Sequence, residues 1–224
     1  LTENYVKGDF RAAGKLVQDN LTMLVAFLLP ATIGAVAIAE PLYTVFYGKP
    51  DSLALGLFIL AMLQTVILGL YTVLSPMIQA LFQNRKAILY FGYGVLVKLI
   101  LQVPFIYLFK AYGPLLSTTI GLMIPIVLMY KEIHQVTHFN RKTVFKRSLL
   151  TAILTLIMLL VVLVAGFIFG LVIKPNGRVT SMIYVALIGG VGIVVYGGLG
   201  LRLRFLDRFI GSKAASLRNK FHIS

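Results

Sequence analysis

Residues 148–173 read SLLTAILTLIMLLVVLVAGFIFGLVI, a run without a single charged side chain. As a helix rising about 1.5 Å per residue it would be about 39 Å long, more than the roughly 30 Å hydrocarbon core of a bilayer. Backbone N–H and C=O groups cannot be left unpaired in hydrocarbon, so a segment this apolar and this long is expected to cross the membrane as a helix.

The rest of the chain has the same character. Of 224 residues 59% are hydrophobic and 12% charged, against about 25% charged in an ordinary soluble domain. The mean hydropathy is +0.92. Lys and Arg number 21 against 7 Asp and Glu, a net charge of +14. On so apolar a chain that excess points to anionic membrane lipids as partners and not to nucleic acid. Cysteine is absent, which excludes disulfides, thiolate metal sites and a cysteine nucleophile. The first residue is Leu and no signal-like segment precedes the first charges, so the chain is expected to be the C-terminal part of a longer protein.

Cutting wherever charges and turn residues cluster gives six spans: Leu21 to Phe46, Leu53 to Phe82, Ala87 to Phe109, Pro114 to Tyr130, Ser148 to Ile173 and Ser181 to Leu201. The Gly- and Pro-bearing turns at 47–52 and 174–178 separate two pairs of them. Sixteen cations flank one side: Lys7, Arg11 and Lys15, then Arg85 and Lys86, then five between Lys131 and Arg147, then six from Arg202 onward. Four flank the other, Lys49, Lys110, Lys174 and Arg178, and Lys98 lies inside a span. The positive-inside rule therefore places both ends in the cytoplasm. Residues 1–20 carry Phe10, Ala13, Leu16 and Val17 at helical spacing beside Arg11, Lys15 and Asp19, the pattern of an interfacial amphipathic helix. The tail 202–224, with Leu206, Phe209, Leu217 and Phe221 among its cations, reads as a second one or as a frayed basic end.

Polar residues inside a bilayer usually face protein or water. Thr32, Glu40 and Thr44 form a weak row in the first span, interrupted by Val36. Gln64, Tyr71, Ser75 and Gln79 form a stronger row in the second, and Gly94, Lys98 and Gln102 one in the third. In the fourth, Ser117, Gly121 and Pro125 make a small-residue stripe that admits a neighbouring backbone. Pro30, Pro76, Pro104 and Pro125 lie within these four spans, whereas the last two have no proline. Bent, striped helices suit a cavity wall, and the straight apolar pair suits a lipid-facing accessory element in which Gly166 and Gly170 offer a GxxxG contact. Lys98, near the middle of its span, is either a cavity cation or a structural charge paired with Glu40 or with helix-capping carbonyls, Glu40 itself being readable as an interface carboxylate before Pro41. Candidate substrate-path residues are thus Lys98, Gln102, Glu40, Gln64, Ser75 and Gln79.

The segments NYVKGDFRAAGK from Asn4, LLPATIG from Leu28, AEPLYTVFYG from Ala39, SPMIQALFQNRK from Ser75 and VKLILQVPFIYLFKAYG from Val97 together resemble the MurJ/YtgP-like branch of the multidrug, oligosaccharidyl-lipid and polysaccharide exporter superfamily, whose fold is related to that of the MATE transporters. The resemblance covers the first 130 residues well. Beyond them it rests on span number, hydrophobicity and the basic tail. It implies an all-α integral membrane fold of fourteen helices in two lobes, of which this chain holds the last six. In that frame 21–130 would be four helices of the C-terminal transporter lobe, 131–147 a basic cytoplasmic loop and 148–201 the accessory pair. It also implies alternating-access export of an undecaprenyl-linked glycan, lipid II first and another lipid-linked oligosaccharide second, with the N-terminal lobe of the same chain as partner. The branch has a lysine where Lys98 stands.

An enzyme acting on such lipids would need clustered carboxylates, His or metal ligands, and the three His and seven acids are dispersed. His134 and His138 follow Glu132 at i, i+4 spacing, but residue 135 is Gln and cations crowd the segment, which disfavours a metal. No catalytic residue, metal or cofactor is expected. A scaffold subunit remains the third class, distinguished by indifference to Lys98.

Overall fold

The computed structural model describes residues 1–172 and 177–202. The basic tail and most of the turn before Arg178 lie outside the described residues. The described chain is helical: α1 Thr2–Val6, α2 Phe10–Ala37, α3 Ala39–Tyr47, α4 Ser52–Ala80, α5 Asn84–Phe109, α6 Gly113–Thr137, α7 Arg141–Val172 and α8 Arg178–Arg202.

Five helical stretches are long and apolar enough to cross a membrane, against the six expected. The difference lies at residues 110–112, where a single 3-10 turn, entered through Lys110 at φ 50°, reverses the chain so tightly that Asn84–Thr137 counts as one stretch although α5 and α6 are two separate helices. That stretch doubles back on itself: Lys86 near its start meets Glu132 near its end at 2.6 Å. The N-terminal segment holds α1 and then runs directly into α2. From Phe10 it is the beginning of α2, whose 28 residues extend about 42 Å, the thickness of a bilayer with its headgroups. The first span breaks instead at Ile38, three residues before Pro41. Proline has no N–H to give the Ala37 carbonyl, and it is tolerated in the first turn of the new helix, α3.

The chain divides into two compact units, residues 1–28 with 56–148, and residues 29–55 with those after 148. In the first, Val17, Leu21, Leu74, Ile78, Leu81, Met129 and Ile133 form the core. Every fourth residue of α6 is buried, from Gly113 through Ser117, Gly121, Pro125, Met129 and Ile133 to Thr137. Lipid tails are as apolar as these side chains, so close packing, and not water exclusion, holds such helices together. Buried polar groups are satisfied locally: the Thr137 and Thr22 hydroxyls donate to the carbonyls of Ile133 and Gln18.

In the second unit α3 packs along α8, and Ile38, Met158, Val162 and Ile188 form its core. The Tyr184 hydroxyl donates to the Gly166 carbonyl at 2.9 Å, so α7 and α8 do meet at the first glycine of the GxxxG pair. A side chain at Gly170 would meet only open space. Tyr184→Phe should therefore lower the thermal stability of the detergent-solubilised protein by about 1 kcal/mol, and Gly170→Ala should leave it unchanged or slightly higher. Equal losses in both would contradict this contact.

Candidate functional site

The hairpin of α5 and α6 positions the most informative of the candidate residues. A β-carbon added to Gly94 would lie 2.5 Å from the Gly121 carbonyl oxygen, and one added to Gly121 would lie 2.8 Å from the Gly94 oxygen and 2.8 Å from Cβ of Lys98. Each glycine thus points a Cα–H at the other's carbonyl. Pro125 contributes to this pairing. Standing four residues after Gly121, it has no N–H for the Gly121 carbonyl, which is left to accept the weaker Cα–H donor. Two backbones can come this close only where both residues lack a side chain.

Lys98 follows Gly94 by one turn on the same face, with its stem against Gly121. It is half-buried and joins no ion pair with the described residues of its own unit. Gln102, a further turn along, is also half-buried. On α4 the expected polar row is present and accessible: Gln64 and Ser75 are half-buried, Gln79 is exposed, and its amide donates to the Ser75 hydroxyl at 3.3 Å. Tyr71, in the same row, packs against Phe91 of α5 with ring centroids 5.8 Å apart, which sets α4 beside the helix that carries Lys98. No hydrogen bond among the described residues links Lys98 or Gln102 to the α4 row.

The weak row of the first span is divided between two helices. The break at Ile38 leaves Thr32 on α2 and puts Glu40 and Thr44 on α3; Thr32 and Thr44 are buried while Glu40 is exposed in the first turn. Thr44 donates to the Glu40 carbonyl. Glu40 belongs to the second unit and Lys98 to the first.

Four side-chain contacts escaped sequence reasoning. Glu132, with only 11% of its side chain exposed, accepts from Lys86 at 2.6 Å and from the Tyr90 hydroxyl at 3.1 Å, so its carboxylate is committed and does not serve the neighbouring histidines. His134 packs edge-on against Phe139 with centroids 5.0 Å apart. Asp19 pairs with Arg147 at 2.9 Å, 128 residues away. The first pair leaves a sequence signal: Lys86 and Glu132 stand at comparable distances on either side of the turn at 110–112. The pair of Asp19 and Arg147 leaves none. Lys86→Met should destabilise the hairpin by stranding a nearly buried carboxylate, and Lys86→Met combined with Glu132→Met should recover most of the loss. Additive losses in thermal unfolding would contradict the pairing.

No family model matches the chain. Among characterised proteins it is 28% identical over 218 residues to the lipid II flippase MurJ of Bacillus subtilis (strain 168), an alignment covering 95% of this chain and 40% of that protein. Among solved structures it resembles a lipid II flippase MurJ in an inward closed conformation, with a TM-score of 0.64 at 20% identity over 93% of this chain and 41% of the other. The chain therefore spans about two-fifths of the length of the proteins it matches. By sequence along nearly its whole length, and by fold, this multi-pass membrane chain is a homologue of the lipid II flippase MurJ, corresponding to the C-terminal part of that protein.

Proposed function

We propose that this chain forms one wall of the substrate path in a flippase that carries the undecaprenyl-linked peptidoglycan precursor lipid II from the inner to the outer leaflet by alternating access. The observation that carries the reading is the 28% identity to MurJ over 95% of the chain. The physics agrees with it. A diphosphate-sugar headgroup cannot cross hydrocarbon unpaired, whereas a lysine in a wetted cavity offsets part of its charge while the polyprenyl tail stays in lipid. In this reading Lys98 supplies the charge, Gln102 and the α4 row of Gln64, Ser75 and Gln79 supply neutral hydrogen bonds along the path, and Glu40 serves at an interface. Residues 21–130 are the transporter-lobe helices and 148–201 the accessory pair, working with an N-terminal lobe that completes the cavity. No chemical step on the substrate is involved. In binding assays the protein in nanodiscs should retain lipid II and release undecaprenyl phosphate, which lacks the second phosphate and the sugars. Equal retention of the two lipids would overturn the assignment of the headgroup as the recognised part.

The same reading sets the orientation. Both ends of the chain face the cytoplasm, so cysteines placed at Asp51 or Tyr112 should react with an impermeant thiol reagent in intact cells, and those at Asn84 or Asn140 should react only after permeabilisation. The chain has no cysteine of its own to remove. Labelling at Asn140 and not at Asp51 would reverse the topology.

A further inference from the structure

A groove of about 380 Å³ opens on the first unit, within the roughly 300–1,000 Å³ range of small-ligand pockets. Its walls are aliphatic, with Leu21 and Val25 from α2, Leu74 from α4 and Ile126 from α6. One end is cationic, with Lys131 and Arg141 beside Tyr130. The Arg141 guanidinium sits 5.6 Å over the centroid of the Tyr130 ring, a cation–π contact that fixes its direction.

The acids nearest this end of the unit are already committed. Glu132 is taken by Lys86 and Tyr90, and Asp19 by Arg147. Asp9, further along the chain, accepts from the backbone N–H of Ala12. Among the described residues Lys131 and Arg141 are in no ion pair. Two unneutralised cations thus cap an apolar trough, a charge arrangement complementary to a lipid whose headgroup bears a phosphate.

We propose that this groove is a binding site for an anionic phospholipid of the phosphatidylglycerol type, its phosphodiester held by Lys131 and Arg141 and one acyl chain laid along Leu21, Val25, Leu74 and Ile126. The occupant is a phospholipid and not the transported precursor because the groove lacks the groups a large headgroup needs. Beyond the two cations its side-chain hydrogen-bonding groups are Tyr130 and Ser148, too few for a diphosphate with its sugars. One phosphodiester charge and a short glycerol are satisfied by what is there. The volume takes the headgroup region and part of one chain, and the remainder continues into the bilayer.

The test uses the full protein in liposomes doped with phosphatidylglycerol or phosphatidylcholine carrying a photoactivatable acyl chain, with crosslinks mapped by mass spectrometry. Peptides containing Val25, Leu74 or Ile126 should be labelled about ten-fold more by phosphatidylglycerol than by phosphatidylcholine, two cations each favouring the anionic lipid. The double variant Lys131→Gln, Arg141→Gln should fall to the phosphatidylcholine level with its helix content and melting temperature unchanged. Should that variant fail to fold, Val127→Trp, which enlarges a further lining residue of α6 and leaves the charges, should abolish the same crosslinks. Equal labelling by the two lipids, or wild-type labelling in a folded variant, would overturn the proposal. So would displacement of the label by a polyprenyl diphosphate and not by excess phosphatidylglycerol, which would give the groove to the transported lipid.

Discussion

Lys98→Gln should lower export of the lipid-linked precursor by at least about ten-fold while the protein accumulates in the membrane at its normal level. The side chain is isosteric enough to leave the α5–α6 seam alone, because the part of Lys98 that touches Gly121 is its Cβ, which glutamine retains. What disappears is the positive charge. In a low-dielectric cavity the loss of one charge-assisted hydrogen bond to phosphate corresponds to about 1.5–3 kcal/mol, a factor of roughly 10 to 150. Lys98→Arg should keep part of the activity, since it keeps the charge but replaces a compact ammonium with a planar fork. Export assayed in cells, with membrane abundance measured alongside, separates the outcomes: normal export in Lys98→Gln removes Lys98 from the path, and failure to accumulate makes the charge structural.

The second large effect belongs to the seam that holds Lys98 in place. Gly121→Leu should disrupt the α5–α6 hairpin and abolish export, and Gly121→Ala should already lower stability by about 1–3 kcal/mol. Alanine gains about 1 kcal/mol over glycine in helix propensity, so the sign is decided by whether the neighbours can yield. They cannot do so cheaply, because the atoms met by the new Cβ are the Gly94 carbonyl oxygen and Cβ of Lys98, at or attached to a backbone that the whole helix fixes. Gly92→Ala, a change on the same helix where an added Cβ meets nothing, is the control and should be neutral or stabilising. Thermal unfolding in detergent compares the three, and equal melting temperatures for Gly92→Ala and Gly121→Ala would contradict the close approach.

The parts of this architecture that follow from local periodicity were legible in the sequence. The row Ser117, Gly121, Pro125 reads as a contact face because small residues repeat at helical spacing, and it is buried from end to end. The α4 row of Gln64, Ser75 and Gln79 reads as facing protein or water for the same reason; Gln64 and Ser75 are half-buried and Gln79 is exposed. The break inside the first span is not marked by any cluster of charges or turn residues. Pro41 lies near the end of an apolar run, where its missing N–H converts one long helix into α2 and α3, separating Thr32 from Thr44. The tightness of the α5–α6 reversal was equally hidden, since Lys110, Ala111 and Tyr112 carry the composition of a loop yet turn the chain within one 3-10 turn. Glu132 with Lys86 and Asp19 with Arg147 depend on which helix ends come together, information that is spread over the whole topology and written in no local pattern.

The central claim is that the protein built on this chain moves lipid II outward. In cells where it is the only flippase, depletion should trap the precursor inside while synthesis continues, and a lipid II-cleaving toxin added from outside measures how much has reached the outer leaflet. The account predicts that cleavage falls toward zero as the protein is lost and returns when it is restored, but not when the Lys98→Gln form is supplied. Unchanged cleavage in fully depleted cells would contradict it.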